Sequence, residues 1–83
     1  MNMNTSLFPP PEEMHLKWIA FANEVFQGQV AVRLPGMWWS YDLGRMLGEG
    51  VEVFDCRADA VTAARAATRR QIAALEAKLA RLT

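Results

Sequence analysis

The chain has 83 residues. The few side chains able to do chemistry are spaced so as to keep them apart. Cys56 follows the run VEVFD and precedes an alanine-rich run, so it falls at an expected helix N-terminus, where a thiolate is stabilised. A thiolate nucleophile also needs a base. The single histidine, His15, belongs to another element, and no Asn or Asp is placed to orient it. These residue types favour a structural cysteine. His15 with Cys56 supplies two metal ligands at best. Asp55 and Asp59 read as a helix cap and a first-turn charge rather than as an acid and base pair. The GEG at 48–50 lacks the Lys-Ser/Thr of a phosphate loop, and no Gly-x-Gly-x-x-Gly joins a strand to a helix. The expectation is a protein that is not an enzyme, with no metal and no cofactor.

The arginines Arg65, Arg69 and Arg70 form the best candidate cluster of functional side chains. Zero net charge conceals a polarity. Residues 1–59 hold the acids Glu12, Glu13, Glu24, Asp42, Glu49, Glu52, Asp55 and Asp59 against Lys17, Arg33, Arg45 and Arg57, giving −4. Residues 60–83 hold Glu76 against Arg65, Arg69, Arg70, Lys78 and Arg81, giving +4. A basic element on an acidic body can complement an acidic protein or track nucleic-acid phosphates. A solvated helix face is the plainer reading. The acidic body and the lack of a helix-turn-helix or ribbon pattern count against DNA.

The elements that must position these residues can be read from periodicity. Residues 1–10 read as a Pro-rich arm. From Pro11 to Phe26, Met14, Trp18, Ile19, Phe21, Ala22, Val25 and Phe26 share one face on a 3.6-residue period, which predicts a first helix. In this reading Glu13 and Lys17 form an i,i+4 pair and Gly28 ends the helix. Val30, Val32 and Leu34 alternate as a strand, and Pro35–Gly36 suits a type II turn. That turn sets Leu34 against Met37, Val32 against Trp39 and Val30 against Tyr41. Trp39 is then in the core, and Trp38 lies opposite Arg33 on the other face. Trp38 either stacks under Arg33 or, with Phe54 on the same face, anchors a partner. Residues 43–50 read as a glycine-punctuated loop, with a short helix over Ser40–Leu47 as the alternative. The VEVFD run reads as a third strand with Val51 and Val53 inward.

The strongest element is a helix from about Arg57 to Leu82, carrying ten alanines between Ala58 and Ala80. Val61, Arg65, Thr68, Ile72, Leu75, Leu79 and Leu82 step by 4 and 3 in alternation, a heptad seam that is clean from Ile72 onward. Such a helix is about 39 Å long, against about 20 Å for six-residue strands. Its C-terminal half must overhang, and Ile72, Leu75, Leu79 and Leu82 are the expected dimerisation residues. The alternative is that the first helix folds back to cover them.

The stretch GMWWSYDLGRMLGEGVEVFDCRADAVTAARAATRR resembles small uncharacterised bacterial domains in which a Trp-bearing strand, a strand ending in VFD and an Ala-rich helix succeed one another. The resemblance covers under half of the chain and implies strand structure at Trp38–Tyr41. It implies no activity.

The predicted fold class is α+β: an N-terminal helix, a three-stranded antiparallel meander and a long C-terminal helix with a coiled-coil tail. The arm at 1–10 is followed by a domain at 11–70 and a coiled-coil extension at 71–83. No apolar run is long enough to span a bilayer, no signal peptide is read at the N-terminus, and one cysteine excludes an internal disulfide framework, so a cytoplasmic protein is expected. The expected function is a non-catalytic protein–protein interaction module, a homodimeric adaptor or inhibitor of the size that phage and plasmid genes encode. Its candidate partner-binding residues are Trp38, Arg33, Phe54, Arg65, Arg69 and Arg70, and its expected partner is acidic. The alternative is a nucleic-acid-associated accessory protein using the basic helix.

Overall fold

The computed structural model describes residues 13–83. The expected arm at 1–10 lies outside them. Five strands and one helix follow in order: β1 (His15–Phe21), β2 (Glu24–Leu34), β3 (Met37–Ser40), β4 (Arg45–Gly48), β5 (Val53–Phe54) and α1 (Arg57–Arg81). The strands form one antiparallel sheet in the order β4-β3-β2-β1-β5, curled into a half-barrel. Across the hollow, the Arg45 guanidinium of β4 lies 4.7 Å from the centre of the Phe21 ring of β1, bringing non-adjacent strands together.

The expected N-terminal helix is not there, and the expected three-stranded meander is a five-stranded sheet. Residues 15–34 are instead a long hairpin, with Phe21 paired to Glu24 and His15 to Val30. Its two-residue turn holds Ala22 at φ 55° and Asn23 at φ 66°, the left-handed pair that a primed turn demands. Trp18, Ile19, Phe21, Val25 and Phe26 are β-branched or aromatic and favour strand. Their alternation is blurred because apolar residues are needed on both faces: Ile19 is fully buried in the hollow, and Ala20 is buried on the other face. Lys17 consequently pairs with Asp55 rather than Glu13. Gly28 is a mid-strand residue of β2, not a helix stop. A Cβ there would lie 2.4 Å from Asp42 Oδ2 and 2.8 Å from Ile19 Cδ1. The missing side chain lets Asp42 reach back and accept the Gln29 N–H at 3.0 Å.

Leu34 does pair with Met37 across the Pro35–Gly36 turn, with Gly36 at φ 75°. A bulge between Val32 and Leu34 then shifts the register. Val32 pairs with Trp38, Ala31 with Trp39 and Val30 with Ser40. One extra residue, Arg33, exchanges the expected faces of every β3 side chain. Trp38 therefore lies in the core with Ile19, Val30, Leu47 and Val53. Trp39 lies on the outer face, half-buried, with the Arg33 guanidinium 5.6 Å from its ring centre. The expected Arg33–Trp38 stack is an Arg33–Trp39 stack. Phe54 pairs with Trp18 and so falls on the face opposite Trp38.

The segment 40–50 is neither a loop nor a helix. Ser40 Oγ, fully buried, accepts the Leu43 N–H at 3.1 Å, and the Gly44 N–H donates to Ser40 O at 2.8 Å. That tight turn sends the chain into β4, which pairs Leu47 with Trp38. The third expected strand shrinks to Val53–Phe54, and Val51 is two-thirds exposed rather than inward.

Candidate interaction surfaces

Asp55 does not cap α1. The N-cap is Cys56, whose side chain makes no capping bond, and its exposed thiol is free of any disulfide. Asp55 instead holds the Lys17 ammonium, which also lies 5.3 Å from the Trp38 ring centre. His15 meets the same ring edge-on at 5.7 Å, and Trp38 Nε1 donates to Glu49 Oε1 at 3.2 Å. Glu49, Asp55 and Asp59 thus rim a cavity of about 240 Å³ floored by Trp38 and Val53. Its one ammonium is engaged by Asp55. Among the described residues no group of three or more His, Cys, Asp or Glu is placed to hold a metal ion. The contacts of the cluster converge on Trp38: a cation, an imidazole edge and an indole–carboxylate hydrogen bond.

The helix offers a different kind of surface. Alanines dominate the side of α1 that meets the sheet. Ala60 is fully buried, and Ala63, Ala64, Ala66 and Ala67 are half-buried. Small side chains let the helix lie close to the β1–β2 hairpin. At the hairpin tip Asn23 clamps it: Asn23 Nδ2 donates to Gln71 Oε1 at 2.8 Å, and Thr68 Oγ1 lies 3.0 Å from Asn23 Oδ1. The same Thr68 hydroxyl is 2.8 Å from Ala64 O, so its one proton is shared between the two acceptors.

Beyond that clamp α1 leaves the body. Every residue from Arg69 to the end of the helix is exposed, a projecting rod of about 20 Å. Ile72 is 50 % exposed, Leu75 62 %, Leu79 64 % and Leu82 82 %. The fold-back alternative fails, because the residues expected to form the covering helix are strands of the sheet. On the body side the same seam continues as a groove of about 360 Å³ between the helix and the hairpin. Val25, Val61, Arg65 and Thr68 are among the residues lining it.

The expected arginine cluster divides. Arg65, Arg69 and Arg70 are all exposed. Arg65 and Arg69 line the seam groove, whereas Arg70 lines a separate cleft of about 580 Å³ on the other flank of the helix, with Ala22, Gly50 and Val51. Trp38 is the buried floor of the half-barrel rather than an exposed anchor, and Arg33 covers Trp39. Phe54 is half-buried in β5. Sequence reasoning missed the Asn23 clamp; its signal was an Asn at the tip of a two-residue turn, without the customary glycine. No helix of the described residues is long and apolar enough to cross a membrane. No family model, curated protein or solved structure matches this chain.

Proposed function

We propose that this chain is a non-catalytic protein–protein interaction module that works as a homodimer, joined through the projecting half of α1. One observation carries the reading: Ile72, Leu75, Leu79 and Leu82 form a heptad seam that stands at least half exposed, with no strand of the described residues packed over it. Contiguous exposed apolar stripes mark interaction sites, and a 3,4-spaced Ile/Leu stripe on a helix is what a second helix packs into. An isolated helical extension of this length is marginal in water, and a partner helix supplies the missing packing. The body contributes a rigid half-barrel, and the exposed arginines give an acidic partner protein a charged face. A cytoplasmic setting is consistent with one free, exposed cysteine.

The test is Leu75→Asp with Leu79→Asp, measured by light scattering and circular dichroism. The unmutated chain should be a dimer and the double variant a monomer with its strand signal retained. A monomer for the unmutated chain at roughly 100 μM contradicts the reading, because association weaker than that is too weak for a working dimer.

A further inference from the structure

We infer that the second copy docks antiparallel, so that the C-terminal turns of each helix lie in the hairpin–helix groove of the other. This rests on the homodimer reading and goes on to specify its geometry. The first argument is continuity. Val61, Arg65 and Thr68 line the groove, and they are the same heptad positions that continue as Ile72, Leu75, Leu79 and Leu82. Seam and groove are one surface, lying about 90° around the helix axis from the line of Ala60, Ala64 and Ala67 that meets the sheet. A partner helix that follows it leaves the rod, passes Thr68 beside the Asn23 clamp and enters the groove next to Val25.

The second argument is charge. Residues 60–83 carry +4 and residues 1–59 carry −4. A parallel pair sets the two basic helices side by side, stacks Arg65 on Arg65 and leaves Arg69 beside an alanine. An antiparallel pair with Ile72 opposite the partner's Leu75 places Arg69 beside the partner's Glu76, twice by symmetry, and Lys78 beside the partner's Gln71. Lys78 then arrives at the hairpin tip, where Asn23 holds Gln71 and the exposed acid Glu24 follows. In this register Leu79 packs on the partner's Thr68, and Leu82 reaches the aliphatic stem of the partner's Arg65, next to Val61. Sliding by one heptad sets Glu76 on Glu76 and Lys78 on Lys78, so charge selects the longer overlap. Arg70, on the other flank, stays available to an outside partner.

Charge swapping and cross-linking test this in the full-length chain. Arg69→Glu and Glu76→Arg, each alone, should weaken the dimer roughly tenfold, because each turns two attractions into two repulsions. Combined in one chain they should restore it to within about threefold. In a Cys56→Ser background, Arg65→Cys with Leu82→Cys should form an intermolecular disulfide. Leu82→Cys alone should not, since the two sites are about 25 Å apart in an antiparallel pair. Ready cross-linking of Leu82→Cys alone, or a combined variant as weak as the sum of the single ones, overturns the antiparallel geometry while leaving the homodimer intact. A monomeric parent removes both readings, so the two failures are distinguishable.

Discussion

Along the first turns of α1 the residues that meet the sheet are alanines, with Ala60 fully buried and Ala64 and Ala67 half-buried. Along the last turns the same helix carries Ile72, Leu75, Leu79 and Leu82, each at least half exposed. Where the helix meets the sheet its side chains are mostly small, and its Ile/Leu stripe lies where the described residues leave it at least half exposed. Small residues let a helix approach a sheet closely. Large ones in a single stripe bury useful area only against a second surface. The contrast teaches that the two halves meet different surroundings: the first packs on the half-barrel, and the second presents the stripe that the proposed partner helix would cover. Asn23, hydrogen-bonded at Thr68 and Gln71, marks the boundary between them.

Substitutions in the body should act on stability and substitutions in the rod on association. The largest stability effect should come from Trp38→Ala, at about 3–5 kcal/mol, because it opens a cavity among Ile19, Val30, Leu47 and Val53. Trp39→Ala, on the outer face, should cost clearly less, and chemical denaturation of the two variants checks the order. A reversed order would mean that β3 is out of register by one residue. Next comes a paired test of the helix itself. Ala60→Leu should destabilise by about 1–3 kcal/mol through overpacking. Ala77→Leu, on the exposed rod and off the seam, should stay within about 0.5 kcal/mol. Equal effects would erase the distinction between the halves. Asn23→Ala should cost about 1–2 kcal/mol by removing the clamp and a residue suited to a left-handed turn. It should also raise amide exchange near Thr68 and Gln71. One substitution in the body should bring a modest gain: Ala22→Gly relieves a non-glycine residue at φ 55° and should add about 0.5–1 kcal/mol in thermal unfolding.

Some of this was legible in the residues themselves. The alanines and the 4,3 spacing mark α1, and the observed helix, Arg57–Arg81, lies within the expected span. Pro35–Gly36 marks the turn that pairs Leu34 with Met37. The rest was hidden for physical reasons. Residues 15–26 serve two faces at once, the hollow and the helix-covered side, so strict alternation is lost and an amphipathic helix fits the same apolar residues. The Ala22–Asn23 turn lacks the glycine that usually announces a hairpin. A one-residue bulge at Arg33 leaves no trace in composition, yet it moves Trp38 inward and Trp39 outward. The Lys17–Asp55 ion pair joins two segments far apart in sequence, which local pattern does not reveal. Of the surfaces, the apolar seam was visible because it repeats within one helix, whereas its continuation as a groove beside Val25 depends on a hairpin that pattern concealed.

The central claim is that the exposed seam of α1 is a self-association surface. Sedimentation equilibrium of the unmutated chain over roughly 1–100 μM tests it most directly, since a self-associating protein gains mass with concentration. The account predicts a mass approaching twice the 9.3 kDa of one chain at the upper end of that range. A mass that stays at 9.3 kDa throughout would contradict it.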